Sequence, residues 1–405
     1  MSDSEKEHPS VTRFRKYLRI NTIQPSPNYY PALDFLKQEA EEIGLDFKVI
    51  ETGLEGKPLG LMTWKGSNPS LKSILLTSHM DVVPVFPDEW KYEPFSAHKD
   101  EKGDIFARGS QDMKCVTSWY LESLRRLKSE GKSFARTIHL LFTADEEIGS
   151  KPTMKFVETQ EFKDLNASFG LDEGIANPGS KMRVFYGERS VWWLKITCKG
   201  QPGHASAFIE NTAVKKLHNV LTSCLAFREQ QENLFKANPE AGMGAVTSLN
   251  VTILEGGVQP NVVPASMSAS VDMRITPTVE ASEVKAMIKK WCEDAGPDVD
   301  FEMLVDGVSK EMVSTTDDNP WWVAFRDACT SENVDIQKEI FPAATDSRFF
   351  RKAGIDMLGF SPMNNTPILL HDHNEFLNEK VFLRGIDIYC KIIPALADLQ
   401  QKGVA

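Results

Sequence analysis

Short, largely apolar runs alternate with helical patterns through the first half of the chain. The runs Ile74–Leu76, Ile138–Phe142 and Ala167–Leu171 are typical of strands that are buried on both faces of a sheet. Between the first two runs, apolar residues recur at helical spacing from Met113 to Lys128. Because strands that alternate with helices form βαβ units, this pattern predicts an α/β domain with a mostly parallel sheet and helices on both faces.

The hydrophobic period changes near residue 188, where apolar and polar positions begin to alternate. Strands and helices are predicted there in the order βαββαβ, over residues 191–198, 213–227, 247–254, 267–275, 282–292 and 299–304. This order is that of the split βαβ, or ferredoxin-like, sandwich. We therefore predict a discontinuous larger domain over residues 1–187 and 309–405, with a small domain over residues 188–308 inserted into it.

Composition and charge exclude several classes of protein. The 57 acidic residues outnumber the 46 basic ones, so the net charge is −11, and such a chain lacks the basic surface of a nucleic-acid or membrane binder. The first ten residues are polar and resemble no secretory signal, and no run approaches the ~20 apolar residues of a membrane span. The six cysteines are scattered without a CxxC motif, which favours free thiols in a reducing compartment. We therefore expect a cytoplasmic protein that binds neither nucleic acid nor membranes.

Histidines and carboxylates follow directly after the predicted buried strands. The segments His79-Met80-Asp81, Asp145-Glu146-Glu147 and Asp172-Glu173 each come at the carboxyl end of one strand, where ligands bind in open α/β sheets. Carboxylates at this density repel one another unless a cation lies among them, so the pattern indicates one or two divalent metal ions. Imidazole and carboxylate ligands without thiolates suit Zn²⁺, with Mn²⁺ and Co²⁺ as alternatives.

These segments also have simpler interpretations. In an extended segment, positions i and i+2 point the same way, so Asp81 is placed to orient His79 as a metal ligand. A histidine and an aspartate at a surface strand end would have the same spacing. The side chains of Glu146 and Glu147 diverge in an extended segment, which leaves one for a metal and the other for proton transfer to a substrate. A solvated acidic turn explains the same pair.

Further candidates lie beyond these strands, and each has a structural alternative. Asp112 precedes a helix, where it is either a carboxylate that bridges two cations or a plain N-cap. His371 either closes the site or lies in a polar surface loop. In the inserted domain, His204 lies in a glycine-punctuated loop. Asn261 follows Gly256-Gly257 in a strand-to-strand turn, where a plain hairpin is the alternative. Arg274 lies on the polar face of a strand, where a surface salt bridge is the alternative.

Together these segments resemble one family closely: the dinuclear zinc amidohydrolases and metallopeptidases, which include aminoacylases, carboxypeptidase G and succinyl-diaminopimelate desuccinylase. Six motifs occur in the family's order: Ser78-His79-Met80-Asp81-Val82-Val83-Pro84, Gly109-Ser110-Gln111-Asp112-Met113-Lys114, Asp145-Glu146-Glu147-Ile148-Gly149, Leu171-Asp172-Glu173-Gly174, Pro202-Gly203-His204-Ala205-Ser206, and His371 with Glu375. Within the family, the chain is most similar to the cytosolic aminoacylases (acylase I). That likeness includes Tyr186-Gly187-Glu188-Arg189-Ser190 and Pro342-Ala343-Ala344-Thr345-Asp346.

The resemblance implies two Zn²⁺ ions per subunit, bound in the larger, catalytic domain. The implied ligands are, for one zinc, His79, Asp112 and Glu173 and, for the other, Asp112, Glu147 and His371. Many relatives have aspartate at the position of Glu173, so the neighbouring Asp172 remains an open alternative for that ligand. The peptide bond after the bridging aspartate is usually cis in this family, and we expect the same for Asp112–Met113.

The resemblance also implies the reaction and the remaining roles. The implied reaction is hydrolysis of an N-acyl-L-amino acid to a carboxylate and a free L-amino acid by a metal-activated water. Glu146 would be the general base and acid, and Asp81 would orient His79. The inserted domain would act as a lid and join a homodimer, across which His204 stabilises the oxyanion. The candidate substrate-binding residues are Asn261, Arg274 and Arg348.

Two other functions remain open at this stage. One is a dipeptidase or carboxypeptidase of the same family, which would differ in tolerating a free α-amino group. The other is a non-catalytic binding protein on this fold. Because candidates for all five ligand positions and for Glu146 are present, the sequence favours a hydrolase of amino acid metabolism.

Overall fold

The strand predicted at Ile74–Leu76 runs from Ser73 to His79, and all seven of its residues are buried. Because successive residues of a strand point to opposite faces, this strand is covered on both sides. The computed structural model describes residues 7–400. Residues 1–6 and 401–405, the two ends of the predicted larger domain, lie outside the described residues, as does most of the N-terminal segment judged unlike a secretory signal.

Helices and strands alternate along the described chain. The α-helices are α1 (Pro9–Leu18), α2 (Tyr30–Ile43), α3 (Lys114–Ser129), α4 (Lys151–Phe156), α5 (Gln160–Asp164), α6 (Ala213–Ala237), α7 (Ala281–Ala295), α8 (Pro320–Ser331), α9 (Ser347–Lys352) and α10 (Glu379–Ala397). The strands are β1 (Asp46–Ile50), β2 (Leu59–Trp64), β3 (Ser73–His79), β4 (His98–Lys99), β5 (Asp104–Phe106), β6 (Ile138–Thr143), β7 (Ala167–Asp172), β8 (Met182–Glu188), β9 (Ser190–Lys199), β10 (Gly203–His204), β11 (Ser248–Gly256), β12 (Val262–Val263), β13 (Ser266–Ile275), β14 (Val299–Asp306), β15 (Ile336–Phe341), β16 (Asp356–Phe360) and β17 (Phe376–Asn378).

Contacts divide the chain into two compact units. The first unit runs to Tyr186 and also contains Val313–Lys338 and the chain from Thr345 onward. The second unit contains Gly187–Met312 and Glu339–Ala344. The second unit thus includes the predicted inserted segment 188–308, together with a short return segment that the sequence pattern did not indicate.

The large sheet confirms the α/β class. Its eight strands have the order β1-β2-β6-β3-β7-β16-β8-β15. The four central strands, β6, β3, β7 and β16, are parallel, whereas β1 and β2 on one side and β8 on the other pair antiparallel. The predicted βαβ strands therefore form the centre of the sheet, and their carboxyl ends lie along one edge.

Helices of the first unit bury aromatic side chains against one another. α10 contacts α3 and α8, and α3 contacts both α1 and β3. Trp119 of α3 is fully buried, and its indole N–H donates to the main-chain oxygen of Phe382 at 2.8 Å. This packing fixes the start of α3, which directly follows Asp112 and Met113.

The second unit has the predicted ferredoxin-like order. Its four-stranded antiparallel sheet is ordered β11-β13-β9-β14, and α6 and α7 pack on it. Trp192, Leu194 and Ile196 of β9 are buried, whereas the intervening Trp193 is half exposed. A separate two-stranded pair, β10 with β12, aligns His204 with Val262.

None of the helices within residues 7–400 combines the length and apolar character that a membrane crossing requires.

Candidate metal centre

His79 is the last residue of β3, and its imidazole is fully buried. Its Nδ1 lies 2.9 Å from the main-chain oxygen of Asp81 and donates to it, so Nε2 of the neutral ring keeps a lone pair for a metal. The carboxylate of Asp81, the partner expected from the sequence, is farther away, at 3.7 Å. That carboxylate instead accepts the main-chain N–H groups of Glu146 and Glu147, each at 3.2 Å. Asp81 thus contacts His79 with its carbonyl group. With its side chain it contacts the turn that carries Glu146 and Glu147, which we call the glutamate turn.

The five expected ligand side chains form two groups that share one residue. The groups are His79, Asp112 and Glu173, and Asp112, Glu147 and His371, with one potential ligand atom of each residue within 4.8 Å of the others. Oδ1 of Asp112 lies 3.1 Å from Nε2 of His79, and its Oδ2 lies 3.3 Å from Nε2 of His371. Nε2 of His371 is also 3.1 Å from Oε2 of Glu147. Two adjacent three-ligand groups joined by one carboxylate suit a pair of divalent cations.

The electrostatics of these groups also fit a metal. Burial, together with the charge of Asp112, raises the pKa of Glu147 to about 7 and that of Glu173 well above its usual range. Hydrogen bonds to Asp112 and Glu147 raise the pKa of His371 to about 10. Oε1 of Glu147 is buried and has no hydrogen-bond partner among the described residues. Because a cation would satisfy this oxygen and offset the surplus negative charge, the residues present fit a bound metal.

A tight turn directly after β6 separates the side chains of Glu146 and Glu147. Asp145 begins the turn with φ +60°, in the left-handed region. Glu147 contributes to a ligand group, whereas Glu146 belongs to neither. Burial raises the pKa of Glu146 well above its usual range, and the charge of the neighbouring Glu147 adds to this effect. A partly buried carboxyl group that lies beside a ligand group, but outside it, suits proton transfer.

Glu375 connects the loop of Asp112 to the loop of His371, a role that the sequence did not indicate. Its Oε1 accepts the N–H groups of Gln111 at 2.5 Å and Asp112 at 3.2 Å. Its Oε2 accepts from Nη1 of Arg108 at 2.8 Å. Because both oxygens are engaged by donors, the carboxylate acts as a tether. Its only signal in the sequence is its position four residues after His371.

The geometry also separates Glu173 from Asp172, the alternative candidate for the same ligand position. The carboxylate of Glu173 belongs to a ligand group, whereas Oδ2 of Asp172 accepts the hydroxyl of Ser347 at 2.7 Å. Burial raises the pKa of Asp172 to about 6. The peptide bond Asp112–Met113 is cis, as expected.

The remaining candidates lie outside both ligand groups. In the second unit, Nδ1 of the exposed His204 contacts Oγ of Ser206 at 2.8 Å, and Arg274 pairs with Asp272 at 3.0 Å. Asn261 immediately precedes β12, and its main-chain oxygen accepts the N–H of Ala205 at 3.1 Å, beside His204. In the first unit, Nη2 of Arg348 donates to Oγ of Ser150 at 3.3 Å.

Comparisons with known proteins agree with this geometry. The profile described as "Peptidase family M20/M25/M40" matches residues 75–395. "Aminoacylase-1" of Mus musculus is 54% identical over 98% of this chain and 97% of its own length, and "Aminoacylase-1" of Homo sapiens is 52% identical over the same shares. Among solved structures, an M20 family metallo-carboxypeptidase from Sulfolobus solfataricus superposes with a TM-score of 0.75 at 18% identity, covering 96% of this chain and 99% of that chain. The last likeness concerns the fold alone.

Proposed function

The chain belongs to peptidase family M20/M25/M40, and from this premise we propose that it is a metal-dependent aminoacylase. It hydrolyses N-acyl-L-amino acids to a carboxylate and a free L-amino acid. The near full-length relatives named aminoacylase-1 support this substrate class. The observation that carries the chemistry is the pair of ligand groups that share Asp112, with the partly buried carboxyl group of Glu146 outside both.

The proposed cofactor is a pair of Zn²⁺ ions. The ligand groups offer imidazole nitrogens and carboxylate oxygens and no thiolate, a donor set that suits zinc. When bound, two such ions lower the pKa of a water molecule to about 7 and polarise the substrate's carbonyl group. His79, Asp112 and Glu173 would hold one ion, and Glu147 and His371 would complete the other with Asp112.

The protein's own groups supply the proton transfers. Glu146 takes a proton from the attacking water and passes it to the leaving nitrogen, a role that is typically worth about 10²–10⁴-fold in rate. Its pKa, raised by burial, makes the carboxylate a stronger base toward the attacking water. Asp81 holds His79 and Glu146 in place relative to each other, because it contacts both the imidazole of His79 and the N–H group of Glu146.

The positively charged candidates bind the substrate's carboxylate in this proposal. Arg348 belongs to the same unit as the ligand groups, and guanidinium groups suit planar carboxylates. We also propose that Asn261 and Arg274, which belong to the second unit, bind substrate.

We further propose a homodimer that forms through the second unit and lets His204 stabilise the oxyanion in the partner's site. β11 is an edge strand of its sheet, and it exposes Ile253 and Leu254. Phe208, four residues after the exposed His204, is fully exposed as well. Exposed apolar side chains and an unpaired strand edge are features of an interaction surface.

Subunit mixing tests this dimer. Glu146→Gln and His204→Ala are each expected to lose most turnover, because each removes one essential group. If His204 acts across the dimer, re-associated mixtures regain activity, since one of the two sites in a mixed dimer has both groups intact. Mixtures that stay as inactive as the separate variants would contradict the cross-dimer role.

The proposed compartment is the cytoplasm. All six cysteines are free thiols, and five of them are buried. Free thiols in a chain of this size suit a reducing environment.

The central experiment measures amino-acid release from N-acetyl-L-methionine by metal-stripped protein, with and without added Zn²⁺. Zinc-restored hydrolysis is the expected result, and Glu146→Gln should keep its zinc while losing turnover. Folded protein that releases nothing in either condition would refute the proposal. Unblocked dipeptides are then the next substrates to try, because hydrolysis of those would indicate the peptidase alternative.

A further inference from the structure

The carboxylate of Asp145 is bound by three side chains from the beginning of the chain. The hydroxyl of Tyr29 donates to Oδ1 of Asp145 at 2.8 Å and accepts the N–H of Asp145 at 2.9 Å. Nζ of Lys57 lies 2.7 Å from the same oxygen, and Nε2 of Gln24 lies 3.1 Å from it. We call Gln24, Tyr29 and Lys57 the Asp145 clamp. The clamp holds both the side chain and the main chain of Asp145.

The clamp also reaches the neighbouring carboxylate. Nε2 of Gln24 donates to Oδ2 of Asp81 at 2.7 Å, in addition to its contact with Asp145. Asp81 in turn accepts the N–H groups of Glu146 and Glu147. The side-chain amide of Gln24 therefore connects Asp145, which begins the glutamate turn, with Asp81, which accepts the N–H groups of that turn.

The glutamate turn depends on contacts of this kind. A left-handed residue other than glycine costs about 1–2 kcal/mol relative to the usual conformations, and such a residue persists only where its surroundings hold it. Asp145 has φ +60°, and this conformation sets where the next two side chains point. The main-chain oxygen of Asp145 accepts the N–H groups of Ile148 at 3.3 Å and Ser150 at 2.7 Å, and the clamp adds contacts to its carboxylate and its N–H group.

We propose that the Asp145 clamp positions the two glutamates for the reaction. Its members belong to neither ligand group, so they act through the turn, by directing Glu147 toward its ligand group and Glu146 away from it. This inference rests on the proposed function, which assigns proton transfer to Glu146 and metal binding to Glu147. It adds three positioning residues that no motif contains, from a part of the chain that precedes the first one.

Tyr29→Phe is the sharpest test, because it removes one hydroxyl group and leaves the buried ring in place. Loss of a group that orients metal-site residues typically costs about 10–100-fold in affinity or activity. With N-acetyl-L-methionine we therefore expect kcat to fall about 10–100-fold and KM to stay within about twofold. Titration of the metal-free variant with Zn²⁺ should show one of two sites weakened by a similar factor, because only one group contains Glu147.

Tyr389→Phe is the matched control. Tyr389 is also fully buried, and its hydroxyl donates to the main-chain oxygen of Phe360 at 2.6 Å. Both variants should lower the melting temperature, but only Tyr29→Phe should change kcat and zinc binding. In an Asp145→Gly background, which tolerates the positive φ but has no carboxylate, Tyr29→Phe should have little further effect, because the two residues act as one unit.

Kcat or zinc binding of Tyr29→Phe within twofold of the wild type would overturn the proposal, and so would equal losses in Tyr389→Phe. The zinc titration needs no substrate. If the wild-type protein failed to hydrolyse N-acetyl-L-methionine, the proposed function would fall, and the titration alone would still decide whether the clamp positions Glu147.

Discussion

Replacing Glu375 by glutamine removes one buried charge with almost no change in shape. The carboxylate accepts hydrogen bonds from Nη1 of Arg108 at 2.8 Å and from the N–H groups of Gly109 at 3.1 Å, Gln111 at 2.5 Å and Asp112 at 3.2 Å. Each carboxylate oxygen serves two of these donors. Glutamine keeps one oxygen and presents an NH₂ group at the other position, so two donors lose their acceptor whichever way the amide lies.

The size of the effect follows from these contacts. A buried donor without a partner costs about 1–3 kcal/mol, and removing one member of a buried ion pair costs about 3–5 kcal/mol. Glu375 and Arg108 are both almost fully buried, with side-chain exposures of 0% and 3%. Because the two costs overlap at Arg108, we expect the free energy of unfolding to fall by about 3–5 kcal/mol in total.

The assay is urea unfolding of the metal-free protein, followed by tryptophan fluorescence. Removing the metal first keeps any loss of metal affinity out of the measurement. Asp387→Asn is the control, since Asp387 pairs with Arg126 at 2.6 Å but both side chains are more than a third exposed. Such an exposed pair is worth about 1 kcal/mol or less. A loss in Glu375→Gln no larger than in Asp387→Asn would refute the idea that Glu375 is a buried tether.

Two further predictions concern metal removal and pH. Chelation should lower the melting temperature, because the carboxylates of the ligand groups then repel one another. Zn²⁺ at a hundred times its Kd should raise the free energy of unfolding by about 2.7 kcal/mol per site. A melting temperature that neither treatment changes would contradict a structural role for the metal. The second prediction concerns His139, which is hydrogen-bonded to Thr63 at 3.0 Å and whose pKa burial lowers to about 4. Since the unfolded chain binds this proton near pH 6.5, about 3 kcal/mol of stability is present above pH 6.5 and is lost as the pH falls toward 4. His139→Gln should lack this component in urea unfolding between those pH values; identical pH profiles for variant and wild type would contradict the prediction.

The central strands were predictable because their environment is uniform. β3 and β6 are buried at every position, so both appear in the sequence as largely apolar runs whatever their neighbours are. The flanking strands were not predicted. β15 has the sequence Ile-Gln-Lys-Glu-Ile-Phe and a mixed burial pattern. Its apolar residues therefore form neither the alternation of a half-buried strand nor the continuous run of a fully buried one. The antiparallel pairing of β1 with β2 likewise depends on contacts that local periodicity does not encode.

The places of the candidate ligands in the fold were predictable for a similar reason, whereas the contacts of the residues that support them were not. His79 ends one buried strand and Glu173 directly follows another, so their place in the fold follows from their place in the sequence. Tyr29 and Glu375 contact the centre through residues 116 and 263–267 positions away. Their side chains are ordinary for a helix start and a loop. Only the tertiary structure shows that they bind the turns on which the ligands lie.

Two carboxylates outside the ligand groups, those of Asp81 and Glu375, have the same function. Each accepts main-chain N–H groups of a turn that carries a ligand, and those amides would otherwise be buried without partners. This arrangement orients the ligands but adds negative charge near a centre that already has a surplus. Two cations pair with carboxylates that support the ligand turns: Arg108 pairs with Glu375, and Lys57 with Asp145. Because these cations are engaged there, they stabilise the supports without replacing the metal, and the charge of the ligand groups themselves is left for a divalent ion to neutralise.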